Sequence, residues 1–134
     1  MIGLDTNVLA RFLTQDDARQ SARATRLIEK AIHAGDALFI NQVVLCELAW
    51  VLARAYDFGK SELIAVFEKI LLARQFEIED KASIWAAFAE FKASKADFAD
   101  CLIGIKNLKA GCAATYTFDQ AAAASGGYAP VPQS

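Results

Sequence analysis

The chain has 134 residues, of which 55% are hydrophobic and 22% are charged, and its formal net charge is −2. This length and composition predict one folded domain spanning residues 1–134 and exclude a disordered chain. The small negative charge excludes a general attraction to nucleic acid, so any polyanion would have to bind a local basic patch or metal ions.

Strands and helices alternate along the chain. Strands are predicted at 1–4, 36–41, 76–79 and 112–118, with a final edge strand at 128–131. Helices are predicted at 7–13, from Asp16 and Asp17 to about 34, at 42–58, at about 61–73, 81–92 and 98–109, with a short helix or turn after Asp119. This order predicts an α/β fold in which helices cover both faces of a parallel sheet of four to five strands.

Several kinds of protein are excluded by what the sequence lacks. No apolar run is long enough to span a bilayer and no signal peptide precedes the first strand, so a cytoplasmic protein without a membrane partner is expected. Cys46, Cys101 and Cys112 lack C-x-x-C spacing and are predicted to be small core residues. The one histidine, His33, is predicted to lie at the surface, so no histidine-based catalytic pair is supported.

An acid stands at the end of the first strand, in "MIGLDTNVLARFL". Asp5 can cap the following helix, or it can lie at the carboxyl edge of the sheet, where open α/β folds place their chemistry. Asp119 follows "CAATYTF" in the same way, so a parallel sheet would bring both carboxylates to one edge. Both interpretations are open for each residue.

Glu47 is predicted to lie on an apolar helix face. That face is formed by Val43, Val44, Leu48, Val51, Leu52 and Ala55. A buried glutamate needs a partner because removing its charge from water is costly. The partner is either a metal ion or, in the structural alternative, Arg54 or another basic residue.

A third group of polar residues has helical spacing in "ADFADCLIGIKN". Asp97, Asp100, Gly104 and Asn107 fall on one stripe, which is either a solvated face or part of a site. A glycine within a helix costs about 1 kcal/mol relative to alanine, so Gly104 indicates that something approaches the helix closely there.

Together these acids provide what a hard divalent cation needs, namely several carboxylates without competing thiolates or imidazoles. No Lys or Arg lies within two residues of Asp5, Glu47, Asp100 or Asp119, so external cations are their expected counter-charge. A basic stripe is predicted on the second helix, at Arg19, Arg23, Arg26 and Lys30. With Arg11 it is a candidate RNA contact, and its alternative is an ordinary solvated helix face.

The chain resembles the PIN-domain ribonucleases, and among them the VapC-type toxins, in "MIGLDTNVLARFL", "CELAWVL", "DFADCLIGI" and "TFD". The resemblance implies that the catalytic, metal-binding acids are Asp5, Glu47, Asp100 and Asp119. It implies Asp97 as an additional or alternate metal ligand and Thr6, Asn7 and Thr117 as polar support. In many such toxins a basic residue follows the last acid, but here it is Gln120, which puts a phosphate contact at that position in doubt.

The same resemblance implies a three-layer α/β/α fold and a ribonuclease that uses Mg²⁺ or Mn²⁺. Its expected partners are an RNA substrate, structured RNA such as tRNA among the candidates, a small cognate antitoxin and a second copy in a homodimer. Exposed apolar residues of paired helices would form the dimer or antitoxin groove, and the candidates are Ala49, Leu52, Leu63, Ile64 and Phe67.

Three other functions fit the sequence less well. A haloacid-dehalogenase-like phosphatase needs a second Asp two residues after Asp5, where this chain has Asn7. A receiver-type domain needs a Lys near the last strand, whereas the last one here, Lys109, precedes the fourth strand. The remaining alternative is a non-catalytic PIN-like module that binds RNA or protein, which the intact set of mutually repelling acids disfavours.

Overall fold

Parallel strands organise the first part of the chain in the computed structural model, which describes residues 1–133. Strands β1 (Ile2–Gly3), β2 (Leu38–Ile40) and β3 (Phe76–Ile78) form a sheet in the order β1-β2-β3. Leu38 lies in register between Ile2 and Phe76. Leu38 and Ile40 are buried, as expected for the central strand.

Four helices complete this first compact unit, Met1–Glu79: α1 (Thr6–Thr14), α2 (Ala18–His33), α3 (Gln42–Ala55) and α4 (Lys60–Leu72). Polar caps define where three of them begin. Asp5, Asp17 and Asn41 accept backbone N–H groups at the starts of α1, α2 and α3. The sequence therefore passes from strand to helix within two residues at Asp5 and at Asn41.

A second compact unit begins at Asp80. It contains α5 (Lys81–Ala93), α6 (Phe98–Lys109), β4 (Thr115–Thr117), α7 (Gln120–Ala123) and β5 (Tyr128–Pro130). Strands β4 and β5 are parallel, with Thr117 in register with Pro130. Proline is tolerated there because an edge strand has one side without a hydrogen-bonding neighbour.

The α/β class, the five strands and their parallel direction agree with the sequence prediction. Backbone hydrogen bonds among the described residues divide the strands into one sheet of three and one of two, rather than a single ladder. Helix and strand bounds differ from the predicted ones mainly by shortening of the strands. The single domain over residues 1–134 stays a prediction.

The residues expected to form a dimer or antitoxin groove lie inside the fold instead. Ala49, Leu52, Leu63 and Phe67 are buried, and Ile64 is half-buried. The groove is expected only if these side chains are exposed, and that condition is not met. Their apolar area stabilises the first unit, in which helices α3 and α4 contact each other.

Two further predictions of burial need correction. Helical spacing predicts an apolar stripe on α2 formed by Ala18, Ala22, Leu27, Ile28, Ala31 and Ile32. The buried residues of α2 are instead Ser21, Ala24, Ile28 and Ala31, while Leu27 and Ile32 are exposed. Of the cysteines predicted in the core, Cys101 is buried, Cys46 is half-buried and Cys112 is exposed after the end of α6. His33 is exposed, as predicted. Within residues 1–133 no helix is both long enough and apolar enough to cross a membrane.

Candidate active site

Asp5 caps α1 and keeps half of its carboxylate uncommitted. Its Oδ1 accepts the Thr6 backbone N–H at 2.8 Å, and its backbone carbonyl accepts the Leu9 N–H at 3.1 Å. The side chain is exposed, and Oδ2 accepts no hydrogen bond from residues 1–133. Capping and ligand binding are therefore compatible, because each uses a different oxygen.

Thr6 joins the beginning of α1 to the middle of α3. Its side chain is 6% exposed, and its hydroxyl donates a hydrogen bond of 2.9 Å to Glu47 Oε1. This contact orients the Glu47 carboxylate and supplies the polar support predicted for Thr6. Asn7 is exposed on the same turn of α1.

Glu47 lies on the solvent side of α3, so its predicted burial is wrong. The buried face consists of Val44, Leu45, Leu48, Ala49 and Leu52. Glu47 shares the exposed face with Val43 and Trp50. The alternative partner, Arg54, places its guanidinium 5.6 Å from the centre of the Trp50 ring. Glu47 is thus available to solvent and to ligands.

In the second unit three acids act on one another. Asp97 caps α6, and its Oδ1 accepts the Asp100 backbone N–H at 2.7 Å. Burial, then the nearby carboxyls of Asp97 and Asp119, raise the pKa of Asp100 above its ordinary value. Asp100 is half-buried and Asp97 is exposed. This local environment disfavours negative charge and would be relieved by a cation.

Asp119 begins α7 in a fixed backbone geometry. Its Oδ1 accepts N–H groups from Ala121 at 2.8 Å and Ala122 at 3.1 Å. Its own backbone N–H donates to Thr117 Oγ1 at 3.0 Å, which is a positioning contact of the kind predicted for Thr117. Oδ2 of Asp119 accepts no hydrogen bond from the described chain.

The close approach predicted at Gly104 comes from Tyr128 of the same chain. A Cβ atom at Gly104 would lie 2.7 Å from Tyr128 Cε2, closer than real Cβ contacts. Because glycine has no side chain, the Tyr128 ring packs against α6 at this position. Its hydroxyl donates a hydrogen bond to the Asp100 carbonyl at 2.7 Å. Burial, then the Asp100 charge, raises the pKa of Tyr128 to about 12, so its hydroxyl is protonated at neutral pH. Nothing in the sequence around Tyr128 indicated this contact.

The acids assigned by the motifs differ from other acids in their counter-charges. Within each of the two units as described, the ion pairs that the structure shows do not involve Asp5, Glu47, Asp97, Asp100 or Asp119. By contrast, Asp16 is paired with Arg11 at 2.8 Å and Asp80 with Lys109 at 3.2 Å. The carboxylate oxygens of the motif acids are hard ligands, which suit Mg²⁺ or Mn²⁺.

Those acids form two sets, Asp5 with Glu47 in the first unit and Asp97, Asp100 and Asp119 in the second. In the described part of the chain, no group of three or more His, Cys, Asp or Glu side chains is spaced to hold a metal ion. The chemistry of the donor atoms therefore fits a hard cation, and the assignment of ligands depends on the motifs.

The predicted basic stripe lies on the solvent side of α2. Arg19, Arg23, Arg26 and Lys30 are all exposed. Two shallow pockets occur there, one that includes Asn7, Arg11 and Arg23 in its lining and another that includes Arg19, Arg23 and Arg26. Guanidinium groups around a surface depression are suited to phosphate oxygens.

Arg11 differs from the other arginines because its guanidinium is already occupied. It donates to Asp16 at 2.8 Å, to Gln20 at 2.8 Å and to the Tyr56 hydroxyl at 2.8 Å. Burial alone would raise the pKa of Asp16, but hydrogen bonds from Thr14, Arg11 and Tyr56 outweigh it and lower that pKa to about 2. Arg11 thus has a structural role in the first unit.

Comparison with known proteins gives two matches. The sequence profile of the PIN domain family matches residues 2–125, which include the five acids described above. A protein of Aquifex aeolicus (strain VF5) named VapC ribonuclease is 29% identical over 115 residues, which are 86% of this chain and 84% of that protein. No solved structure gives a significant match.

Proposed function

This chain belongs to the PIN domain family, and from that premise we propose that it is a metal-dependent endoribonuclease, the toxin of a type II toxin–antitoxin pair. The matches confirm the resemblance inferred from the four motifs. One observation carries the proposal: within each described unit the ion pairs that the structure shows leave out the motif acids, whereas Asp16 and Asp80 have basic partners. Carboxylates left without internal counter-charge are suited to binding cations.

The metal-binding acids in this proposal are Asp5, Glu47, Asp100 and Asp119, with Asp97 as an additional ligand. When bound, Mg²⁺ or Mn²⁺ activates water and stabilises negative charge on the phosphodiester. The chain positions the acids for this task. Thr6 orients Glu47, Asp97 holds the Asp100 backbone, and Thr117 holds the Asp119 backbone.

Cleavage of RNA by the purified protein tests the proposal. We expect Mg²⁺ or Mn²⁺ to support cleavage of a pool of structured RNAs that includes tRNA, and EDTA to abolish it. Asp5→Asn, Glu47→Gln, Asp100→Asn and Asp119→Asn should each reduce the rate by roughly two to four orders of magnitude. Glu68→Gln, an exposed acid on α4, is the control that should keep activity.

Unchanged cleavage in EDTA, or near-normal cleavage by the Asp5→Asn variant, would contradict the assignment. The same assay separates the enzyme from the second candidate, a PIN-like module that binds RNA or protein without cutting. A module of that kind would bind the RNA pool and leave it intact with either metal.

The RNA backbone is proposed to contact the basic stripe of α2. Reversing Arg19 and Arg26 to Glu should weaken binding to all RNAs and reduce the slope of log affinity against log salt by about 1.4, if each contacts one phosphate. Lys69→Glu with Lys81→Glu changes the net charge equally and alters exposed residues elsewhere. An equal change of slope in both double variants would indicate that the stripe is an ordinary solvated helix face without specific phosphate contacts.

The protein partners in this proposal are a small cognate antitoxin and a second copy in a homodimer, and the location is the cytoplasm. Burial of Leu52, Leu63 and Phe67 removes those residues from either interface. Apolar side chains still exposed on the first unit include Val43, Trp50 and Leu72. Light scattering of the purified chain measures the dimer directly, and a monomer at all concentrations would contradict it.

A further inference from the structure

Phe118, the residue before Asp119, extends into solvent. It is 90% exposed, the highest value among the large hydrophobic side chains of the described residues. A phenylalanine in this position gives up nearly all the stabilisation that burial of its ring would provide. Packing in the folded chain therefore does not explain why an aromatic ring stands there.

The backbone around Phe118 is held on both sides. Thr117 is in register with Pro130, and its carbonyl accepts the Val131 N–H at 3.0 Å. On the other side, the Asp119 N–H donates to Thr117 Oγ1, and the Asp119 carboxylate caps α7. A ring presented by a fixed backbone loses little conformational freedom when a ligand binds to it.

A second exposed ring belongs to β4, the strand that Phe118 follows. Tyr116 is 63% exposed, while its neighbours Thr115 and Thr117 are half-buried, as the alternation of a strand requires. Two solvent-facing aromatic residues thus occur within three positions of one candidate metal-binding acid. The carboxyls of Asp119 and Asp100 are near enough to interact electrostatically, so the charge around Asp119 is negative.

We infer that Phe118 is a stacking platform for an unpaired base of the RNA, next to the phosphate that is cleaved. This inference rests on the proposed ribonuclease function. Consecutive Cα atoms are about 3.8 Å apart, so Phe118 begins one residue from Asp119, near enough for a base that flanks a phosphate bound at Asp119 to reach its ring. Acids repel the RNA backbone, whereas stacking adds affinity without charge.

The inference constrains the conformation of the RNA at Phe118. A base can stack on a protein ring only when it is out of a duplex, so the base that contacts Phe118 is unpaired. Every base has an aromatic face, and the platform therefore tolerates different bases at this position. Phe118 fixes where the RNA lies rather than which sequence it has.

Cleavage kinetics test the platform once the cut position has been mapped. Phe118→Ala should raise KM about 5- to 150-fold, the range for the loss of one stacked base, and leave kcat nearly unchanged. Phe118→Trp should restore KM, whereas Phe118→Leu, which keeps apolar area without an aromatic face, should not. Ile32→Ala removes another exposed apolar side chain, near the end of α2, and should behave as wild type.

An RNA with one abasic nucleotide beside the cut provides the decisive comparison. In wild type the missing base should raise KM by about the same factor as Phe118→Ala does, and in the Phe118→Ala variant it should have no further effect. Independent, multiplying effects at every abasic position beside the cut would overturn the inference, as would recovery of KM by Phe118→Leu. A change in oligomeric state with unchanged KM would instead assign the ring to a protein interface.

A readout without cleavage separates this inference from the proposed function. A single-stranded oligoribonucleotide containing 2-aminopurine loses fluorescence when its base stacks, and we expect wild type to quench it and Phe118→Ala not to. Quenching by a protein that cuts no RNA would overturn the ribonuclease and keep the platform. Cleavage without any Phe118-dependent quenching, with the probe base placed on either side of the cut, would overturn the platform and keep the ribonuclease.

Discussion

Asp5, Asp97 and Asp119 each use a carboxylate oxygen to begin a helix. At Asp5 and Asp119 the other oxygen accepts no hydrogen bond from residues 1–133. The sequence leaves open whether each of these two residues caps a helix or binds a ligand. The structure makes both roles compatible, because each uses a different oxygen. A capped helix fixes the direction of the carboxylate, and a fixed carboxylate loses less freedom on binding a cation.

Asp100 provides a prediction about stability in EDTA. Its raised pKa means that the folded chain holds the Asp100 proton more tightly than the unfolded chain does, so stability falls as pH rises from the unfolded pKa through the folded one. Asp100→Asn removes this loss and should melt roughly 2–4 °C above wild type at pH 7, with a smaller gain from Mg²⁺. Thermal melts from pH 3 to pH 8 measure both effects.

Asp80→Asn is the control with the opposite sign. Hydrogen bonds from Ser83 and Lys109 lower the pKa of Asp80, so its contribution to stability is present above the unfolded pKa and is lost as pH falls through the folded one. Asparagine tolerates its positive φ of 49° and can still cap α5, so only the charge interactions disappear. This variant should melt lower than wild type at pH 7. Equal shifts in both variants would assign Asp100 a structural role.

At the scale of elements, the order of strands and helices follows from apolar periodicity and polar caps, and the sequence predicts it well. The buried face of α3 is harder because apolar residues occur on nearly every side of that helix. Packing against neighbouring elements then decides which side is buried, and it leaves Glu47 in solvent. Gly104 indicated a close approach, but its partner, Tyr128, is 24 positions away and could be identified only from the fold.

The contact between Gly104 of α6 and Tyr128 of β5 predicts that Gly104→Ala changes stability in opposite directions with and without the Tyr128 ring. Gly104→Ala should destabilise the protein by about 1–3 kcal/mol, because the new Cβ displaces the Tyr128 ring and breaks its hydrogen bond. In a Tyr128→Ala background the same change should stabilise by about 0.5–1 kcal/mol through helix propensity. Urea unfolding of the four proteins measures both values, and the same sign in both backgrounds would contradict this account.

At the scale of the whole molecule, the two compact units contribute different parts of the proposed chemistry. The first supplies Asp5, Glu47 and the basic stripe of α2, whereas the second supplies Asp97, Asp119 and Asp100, the last with its raised pKa. A net charge of −2 leaves binding of RNA to local features rather than to the general field.

The hydrogen bond from Tyr128 to Asp100 also bears on how far the chain can be shortened at its C-terminal end without destabilising the second unit. The PIN profile ends at residue 125, but Tyr128 and all of β5 follow it. A chain cut after residue 125 would keep every motif acid and lose the β4 partner strand, the Gly126 N–H held by Glu90 and the support of Asp100. We expect it to unfold with less cooperativity than a chain cut after Val131, which urea titration can compare. If both chains unfold alike, the last strand is dispensable. Otherwise, the segment that folds as a unit extends beyond residue 125, where the matched family profile ends.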